Sequence, residues 1–151
     1  MNSGSDQRGS DALRLSDYTA FEHILLGDLR DLLEEPPDKT TRKWLLAVLD
    51  ALLDTLPRQY ELQADGGYLS EVLDQFPNWA EQVERLRSEK QELFVKLRQL
   101  REEIGKRVSF AKIAEEVRKG LRDWMSSLSS HQRRERRIMQ TAFNLDVGPG
   151  D

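Results

Sequence analysis

Residues 117–138 read VRKGLRDWMSSLSSHQRRERRI, and this stretch decides the fold class. Its apolar residues recur at alternating steps of three and four, which places them on one face of a helix. The positions on that face, continued by one further step, are Val117, Leu121, Trp124, Leu128, His131, Glu135, Ile138 and Ala142. A seam of this kind is typical of a helix that packs against other helices. His131 and Glu135 interrupt it with polar side chains.

Three other segments repeat the pattern, and each also carries a polar interruption. The first seam is Leu15, Tyr18, Glu22, Leu25, Leu29 and Leu32. The second is Leu45, Leu49, Leu52, Leu56, Gln59 and Gln63. The third is Val83, Leu86, Lys90, Leu93, Leu97, Leu100 and Ile104. Four such helices joined by short connections predict an all-α, up-down-up-down four-helix bundle.

Prolines, glycines and capping residues predict where the helices begin and end. The first helix is expected from Ser16 or Asp17 to Glu35, and the second from a cap at Thr40 or Thr41 to Ala64, with a kink at Pro57. A short connecting helix is predicted over residues 68–76. The last two helices are expected from Pro77 to Ile104 and from Ser109 to Asn144. The predicted bundle therefore spans residues 12–145, between flexible tails at residues 1–11 and 146–151.

Composition narrows the class of protein. The chain has 151 residues, a net charge of -4 and no cysteine. An acidic balance argues against general nucleic-acid binding, and no apolar stretch is long enough to cross a membrane. We expect a cytoplasmic protein that is a monomer or weak dimer, with an unidentified protein as its candidate partner. No phosphate-binding loop or activated nucleophile is present in the sequence, so we expect no enzyme activity.

The six polar residues of the seams point to a functional layer. His131 and Glu135 lie one helical turn apart on one face, where both can meet a metal ion or a polar partner. Gln59 and Gln63 repeat that spacing on the second helix. Glu22 and Lys90 add one polar side chain from each remaining helix. The spacing therefore predicts a polar network of six side chains in the core.

At these residues the chain resembles the hemerythrin-like, or HHE cation-binding, family. Residues 59–68 read QYELQADGGY, similar to the family's second-helix motif, and Glu89-Lys90 is similar to its Glu-His doublet on the third helix. The His131-x-x-x-Glu135 pair matches the family's last motif in full. The resemblance implies a four-helix bundle that holds a di-iron site. It also implies that Gln59, Gln63 and Lys90 replace three of the metal ligands.

The first helix leaves two interpretations of its motif. Glu22-His23 resembles a Glu-His doublet, which would make His23 the ligand. However, Leu25, Leu26 and Leu29 follow Glu22 at the spacing of an inward-facing residue, whereas His23 is rotated by about 100°. We favour Glu22 as the residue that faces the core.

Two functions follow from these residues. In the first, Lys90 bridges Glu22 and Glu135, no cofactor is bound, and the protein has a non-catalytic structural or interaction role. In the alternative, His131, Glu135 and either Glu22 or His23 hold a single iron or zinc ion for oxygen or redox sensing or metal handling. Three further interpretations are open. Lys90 can extend outward along its aliphatic stem, and His131 and Glu135 can form a pair linked to solvent. The run Arg133, Arg134, Arg136 and Arg137 can be a basic docking surface.

Overall fold

The computed structural model describes residues 3–65, 73–106 and 109–146, with side chains from residue 14 to 63, 73 to 106 and 109 to 141. Its helices are α1 (Ser3–Leu32), α2 (Lys39–Asp65), α3 (Ala80–Gly105) and α4 (Phe110–Asp146), and a 3-10 turn at Pro77–Trp79 precedes α3. The described residues contain no strand. The predicted all-α class is confirmed.

The start of the first helix differs from the prediction. Helix α1 begins at Ser3 and has 30 residues, so the expected start near Ser16 is wrong. No proline occurs before Pro36, and glycine or serine in a helix costs at most about 1 kcal/mol each, so nothing in this segment stops helical backbone. The assignment of residues 12–145 as the folded unit stays a prediction, and most of the expected last tail lies outside the described residues.

The start of the second helix is set by an aspartate. The backbone N–H of Thr41 donates to Asp38 Oδ1 at 2.8 Å, and this hydrogen bond lowers the pKa of Asp38. The predicted caps, Thr40 and Thr41, are wrong because both lie inside the first turn of α2. Aspartate after Pro36-Pro37 is a good N-cap, since its carboxylate accepts from a free N–H of the first turn.

The connection before α3 is only partly described. Residues 73–75 are helical, and the rest of the predicted connecting helix up to residue 72 lies outside the described residues. Pro77 opens the 3-10 turn, where its missing N–H is not needed, and Trp79 stacks on Phe76 with ring centroids 5.2 Å apart. Helix α3 ends at Gly105, as predicted.

A leucine-rich core joins the helices. Helix α1 packs on α2, α2 on α3, and α3 on α4. Fully buried members of the core are Leu29, Leu33, Leu45, Leu49, Leu52, Leu56, Leu97, Ile104, Leu121 and Leu128. Truncating one such leucine to alanine typically costs about 2–5 kcal/mol.

Arginines tie the open helix ends to neighbouring helices. Arg42 Nε donates to the carbonyl oxygen of Ile104 at 3.0 Å, near the end of α3. Arg118 donates to the carbonyl of Glu35, and Arg122 donates to that of Leu33 at 3.4 Å. Carbonyls at a helix end lack intrahelical partners, so these contacts hold α4 against the end of α1.

The apolar seam of α1 ends one residue away from its predicted position. Leu33 is 2% exposed, whereas Leu32 is only partly buried. An α-helix drifts from an exact 3.5-residue repeat, so a seam extrapolated over many turns ends one residue off. Trp44 is 55% exposed, although Trp124 is fully inside the core. None of the helices in the described ranges is long and apolar enough to cross a membrane.

Candidate functional site

A polar layer continues the leucine core at one end of the molecule. Glu22 is 5% exposed, Gln59 4% and His131 1%. The side chains of Lys90 and Glu135 are 19% and 15% exposed. The structure therefore brings five of the six predicted polar residues into the interior, and it leaves Gln63 exposed at the edge.

The layer has two centres, and the first surrounds Glu22. Gln59 Nε2 lies 3.4 Å from Glu22 Oε2, and Gln132 Nε2 donates to Glu22 Oε1 at 3.0 Å. Gln59 also donates to the hydroxyl of Thr19 at 3.1 Å. This amide cluster links α1, α2 and α4 around one buried carboxylate.

The second centre surrounds Glu135 and joins α3 to α4. Lys90 Nζ lies 2.7 Å from Glu135 Oε2. His131 Nδ1 lies 3.1 Å from Glu89 Oε2, and Arg134 Nη2 lies 2.5 Å from that same oxygen. Carboxylates and cations alternate along this row, so each charge has an opposite neighbour.

Lys90 also contacts α2, and it does not bridge the two centres. Its ammonium lies 4.4 Å from the centroid of the Tyr60 ring and donates to Gln63 Oε1 at 3.4 Å. No ion pair within 4.0 Å joins Lys90 to Glu22 among the described residues. The predicted bridge from Glu22 through Lys90 to Glu135 is therefore wrong for Glu22. Amide donors satisfy Glu22 instead, because Gln59 and Gln132 are nearer to it.

The surroundings move the pKa values of the carboxyl groups in opposite directions. Burial raises the pKa of Glu22, and the hydrogen bonds from Gln59 and Gln132 offset this only partly. Burial would also raise the pKa of Glu135, but His131 and Lys90 outweigh it and lower the value. Hydrogen bonds from His131 and Arg134 lower the pKa of Glu89. Opposite charges and hydrogen bonds favour the ionised form, whereas desolvation opposes it.

His131 favours its charged form. Burial lowers the pKa of His131, but the adjacent carboxylates of Glu135 and Glu89 more than reverse this and raise it. His131 Nε2 lies 3.7 Å from Glu135 Oε2, too long for a hydrogen bond, and it has no other hydrogen-bond partner. The interaction on this side of the ring is therefore electrostatic, while Nδ1 provides the geometric link to Glu89.

The alternative metal ligands do not converge. His23 is exposed on α1, whereas Glu22 lies inside. No cluster of three or more His, Cys, Asp or Glu side chains within the described ranges has a metal-binding arrangement. A di-iron centre does not fit the donors present, since an ammonium lies 2.7 Å from Glu135 Oε2 and amides are weaker ligands than imidazole or carboxylate.

Four members of the layer were missed by the seam pattern. They are Thr19, Tyr60, Glu89 and Gln132, and each lies one or a few residues from a predicted member. Long side chains at positions beside a seam can reach into the core. A strict three-four spacing does not count such positions as inward-facing. The signal for Glu89 and Gln132 was their position directly beside Lys90 and His131.

Searches of protein-family models, curated proteins and solved structures gave no match. The resemblance to the hemerythrin-like family therefore rests on the motifs alone.

Proposed function

We propose that the protein is a cytoplasmic, non-catalytic hemerythrin-like domain in which a buried ion-pair network takes the place of a di-iron site. Its role is structural or is exerted through contacts with a protein partner. The observation that carries the proposal is the ion pair between Lys90 Nζ and Glu135 Oε2, at 2.7 Å and mostly buried. It couples the one intact motif of the family to the position where the family has a third-helix histidine.

We further infer an up-down-up-down bundle. Residue pairs along neighbouring helices support it, because higher-numbered residues of one helix meet lower-numbered residues of the next. Thr19 of α1 meets Gln59 of α2, and Arg42 of α2 meets Ile104 of α3. Asp50 meets Arg101, and Trp124 of α4 donates to the carbonyl of Leu93 in α3. Residue numbers that fall along one helix while they rise along its neighbour are the pattern of antiparallel helices.

Electrostatics explains how a lysine can replace a cation in this place. A metal ion would lie between Glu135, His131 and the third helix. Lys90 supplies its positive charge at the same place. A second cation beside the ammonium would be repelled by several kcal/mol per unit charge at about 4 Å and an intermediate effective dielectric. The same positive charge that holds Glu135 therefore disfavours metal binding.

Metal analysis tests the proposal. We expect protein purified without chelator, then incubated with Fe(II) under anaerobic conditions or with Zn(II), to retain less than stoichiometric metal after desalting. The rival proposal, a single iron or zinc ion held by His131, Glu135 and Glu22, requires about one ion per chain. That stoichiometry, lost in His131→Ala, would overturn the metal-free assignment.

A gain-of-function variant tests the resemblance itself. Substituting Gln59→His, Gln63→Glu and Lys90→His places the residue types of the family motifs at the matching positions. We expect this triple variant to bind iron with an absorption band that the wild-type chain lacks. The matched control carries Gln59→His and Gln63→Glu but keeps Lys90, and it should bind much less. A folded triple variant, checked by circular dichroism, that takes up no iron would contradict a hemerythrin-like origin of this layer.

A further inference from the structure

A groove of about 520 Å³ between the end of α1 and the middle of α4 lies apart from the polar layer. Arginines approach it from both helices: Arg30 from α1, and Arg122 and Arg133 from α4. Half-buried Met125 contributes apolar surface to its wall, and Leu33 lies beneath it with 2% of its surface exposed. A concave site with apolar walls and a few convergent polar donors is the usual form of a small-molecule site.

Two of the three arginines are uncommitted. Arg122 donates to Glu34 Oε1 at 3.1 Å and to the Leu33 carbonyl. Within the described residues, Arg30 and Arg133 form no ion pair or hydrogen bond. The hydroxyls of Ser126 and Ser129, which also line the groove, donate to no protein group there. The groove therefore offers two free guanidinium groups and two free hydroxyls.

The basic run of α4 is divided by the fold. Arg134 pairs with Glu89, and Arg136 turns back to the carbonyl of Gln132 at 3.4 Å. Of the run, Arg133 alone lines this groove. Arg133 is therefore the member of the run that a ligand in this groove would meet together with Arg30.

Charge and shape together define the ligand. Asp31 and Glu34 line the groove beside the three arginines, so its lining carries one net positive charge. A ligand with a single negative charge neutralises it, and the two carboxylates weaken the attraction that three arginines alone would have for any anion. The accessible apolar surface of Met125 favours a ligand that also has a hydrocarbon body.

We propose that this groove binds a small monoanionic amphiphile, such as a carboxylate with a short alkyl or aromatic body. The anionic group lies between Arg30 and Arg133 and accepts from Ser126 or Ser129, and the hydrocarbon body lies against Met125. This site is independent of the polar layer and does not depend on whether that layer binds a metal ion. Because the groove is open to solvent, we expect a dissociation constant on the order of 0.1–1 mM.

An NMR titration of the full chain with octanoate, kept below its micelle concentration, tests the site. We expect proton–nitrogen cross-peaks of residues 30–34 and 122–133 to shift in a saturable way, with octanol and inorganic phosphate each producing much weaker shifts. Arg133→Gln should weaken octanoate binding by about fivefold, the upper end for an exposed ion pair. The matched control, Arg137→Gln, removes the same charge one turn further along α4, outside the groove, and should leave binding unchanged.

Three results would overturn the proposal. These are equal shifts with octanol and octanoate, equal loss in Arg133→Gln and Arg137→Gln, and shifts that map away from the two segments. Arg133 and Arg137 are exposed, so both variants should fold, and unchanged melting temperatures would establish this.

Discussion

At the scale of single residues, the arrangement of the polar layer depends on which charged side chains are paired with each other. Lys90 is the cation for Glu135, and Arg134 is the cation for Glu89. His131 lies between these two carboxylates. Replacing a whole buried ion pair with apolar residues is often neutral, but removing one partner strands the other charge. The network therefore specifies how α3 and α4 pack more than it adds to net stability.

Removing the lysine should expose this asymmetry. We expect Lys90→Met to lower the free energy of unfolding by about 2–3 kcal/mol, somewhat below the range for fully buried pairs because both partners retain slight exposure. Loss of the contact with the Tyr60 ring contributes to that cost. Urea unfolding at neutral pH measures it.

A double-mutant cycle separates the ion pair from packing. Adding Glu135→Gln to Lys90→Met removes the stranded charge, so the second substitution should cost less than it does in the wild-type chain. Lys96→Met, at an exposed position of α3, is the matched control and should change stability little. Simple additivity of Lys90→Met and Glu135→Gln would disprove the pairing.

At the scale of elements, the distance between α3 and α4 is set by a glycine. A β-carbon built on Gly120 would lie 2.7 Å from Leu100 Cδ2, and Leu100 is only 3% exposed. The two helices therefore approach closely here, and a side chain at position 120 requires the buried side chain of Leu100 to shift. One turn further along α4, Trp124 Nε1 donates to the carbonyl of Leu93 at 2.8 Å, so the polar atom of this large core residue is satisfied.

Two alanine substitutions should separate helix propensity from this close approach. Gly27 of α1 has no atom within 4 Å of a built β-carbon, so Gly27→Ala should stabilise by about 0.5–1 kcal/mol, the usual gain in a helix interior. Gly120→Ala should instead destabilise by about 1–3 kcal/mol through overpacking. Thermal unfolding of the two variants side by side checks this, and a stabilised Gly120→Ala would mean that Leu100 moves aside freely.

At the scale of the whole molecule, the charged layer makes stability depend on pH. The raised pKa values of His131 and Glu22 mean that the folded state binds protons more tightly at these two groups. Their contribution is fully present below their unfolded pKa values, near 6.5 and 4.5, and is lost as pH rises through the folded values. Glu135 and Glu89 have lowered pKa values, so their contribution is lost as pH falls below 4.5.

These opposing trends predict a stability maximum in mildly acid solution, between about pH 4.5 and 6.5. We expect the free energy of unfolding to fall between pH 6 and pH 8, and His131→Gln to flatten that part of the profile. His23→Gln is the matched control, because His23 is exposed on α1. Urea titrations at a series of pH values measure the effect, and an unchanged slope in His131→Gln would contradict it.

The sequence predicted the elements well where a strong periodic pattern met a strong breaker. The end of α3 at Gly105 was placed in this way. Errors occurred where that condition failed: no proline precedes Ser16, the helix continues through Gly4 and Gly9, and Asp38 rather than Thr40 or Thr41 caps α2. The inward position of Glu22 followed from spacing, but its partner Gln132 did not.

By itself, the sequence determined the helical class, most of the apolar seam positions and the inward position of five of the six polar interruptions, because these depend on residue type and the period of one helix. Only the tertiary structure decided the partners. Whether Lys90 meets Glu22 or Glu135 depends on how neighbouring helices align and on small differences in the distance between the ammonium and each carboxylate. The same alignment joined Glu89 to His131 and put Arg133 in a groove with Arg30. Hydrogen bonds and ion pairs weaken over such distances, so the chemistry of the layer follows from packing.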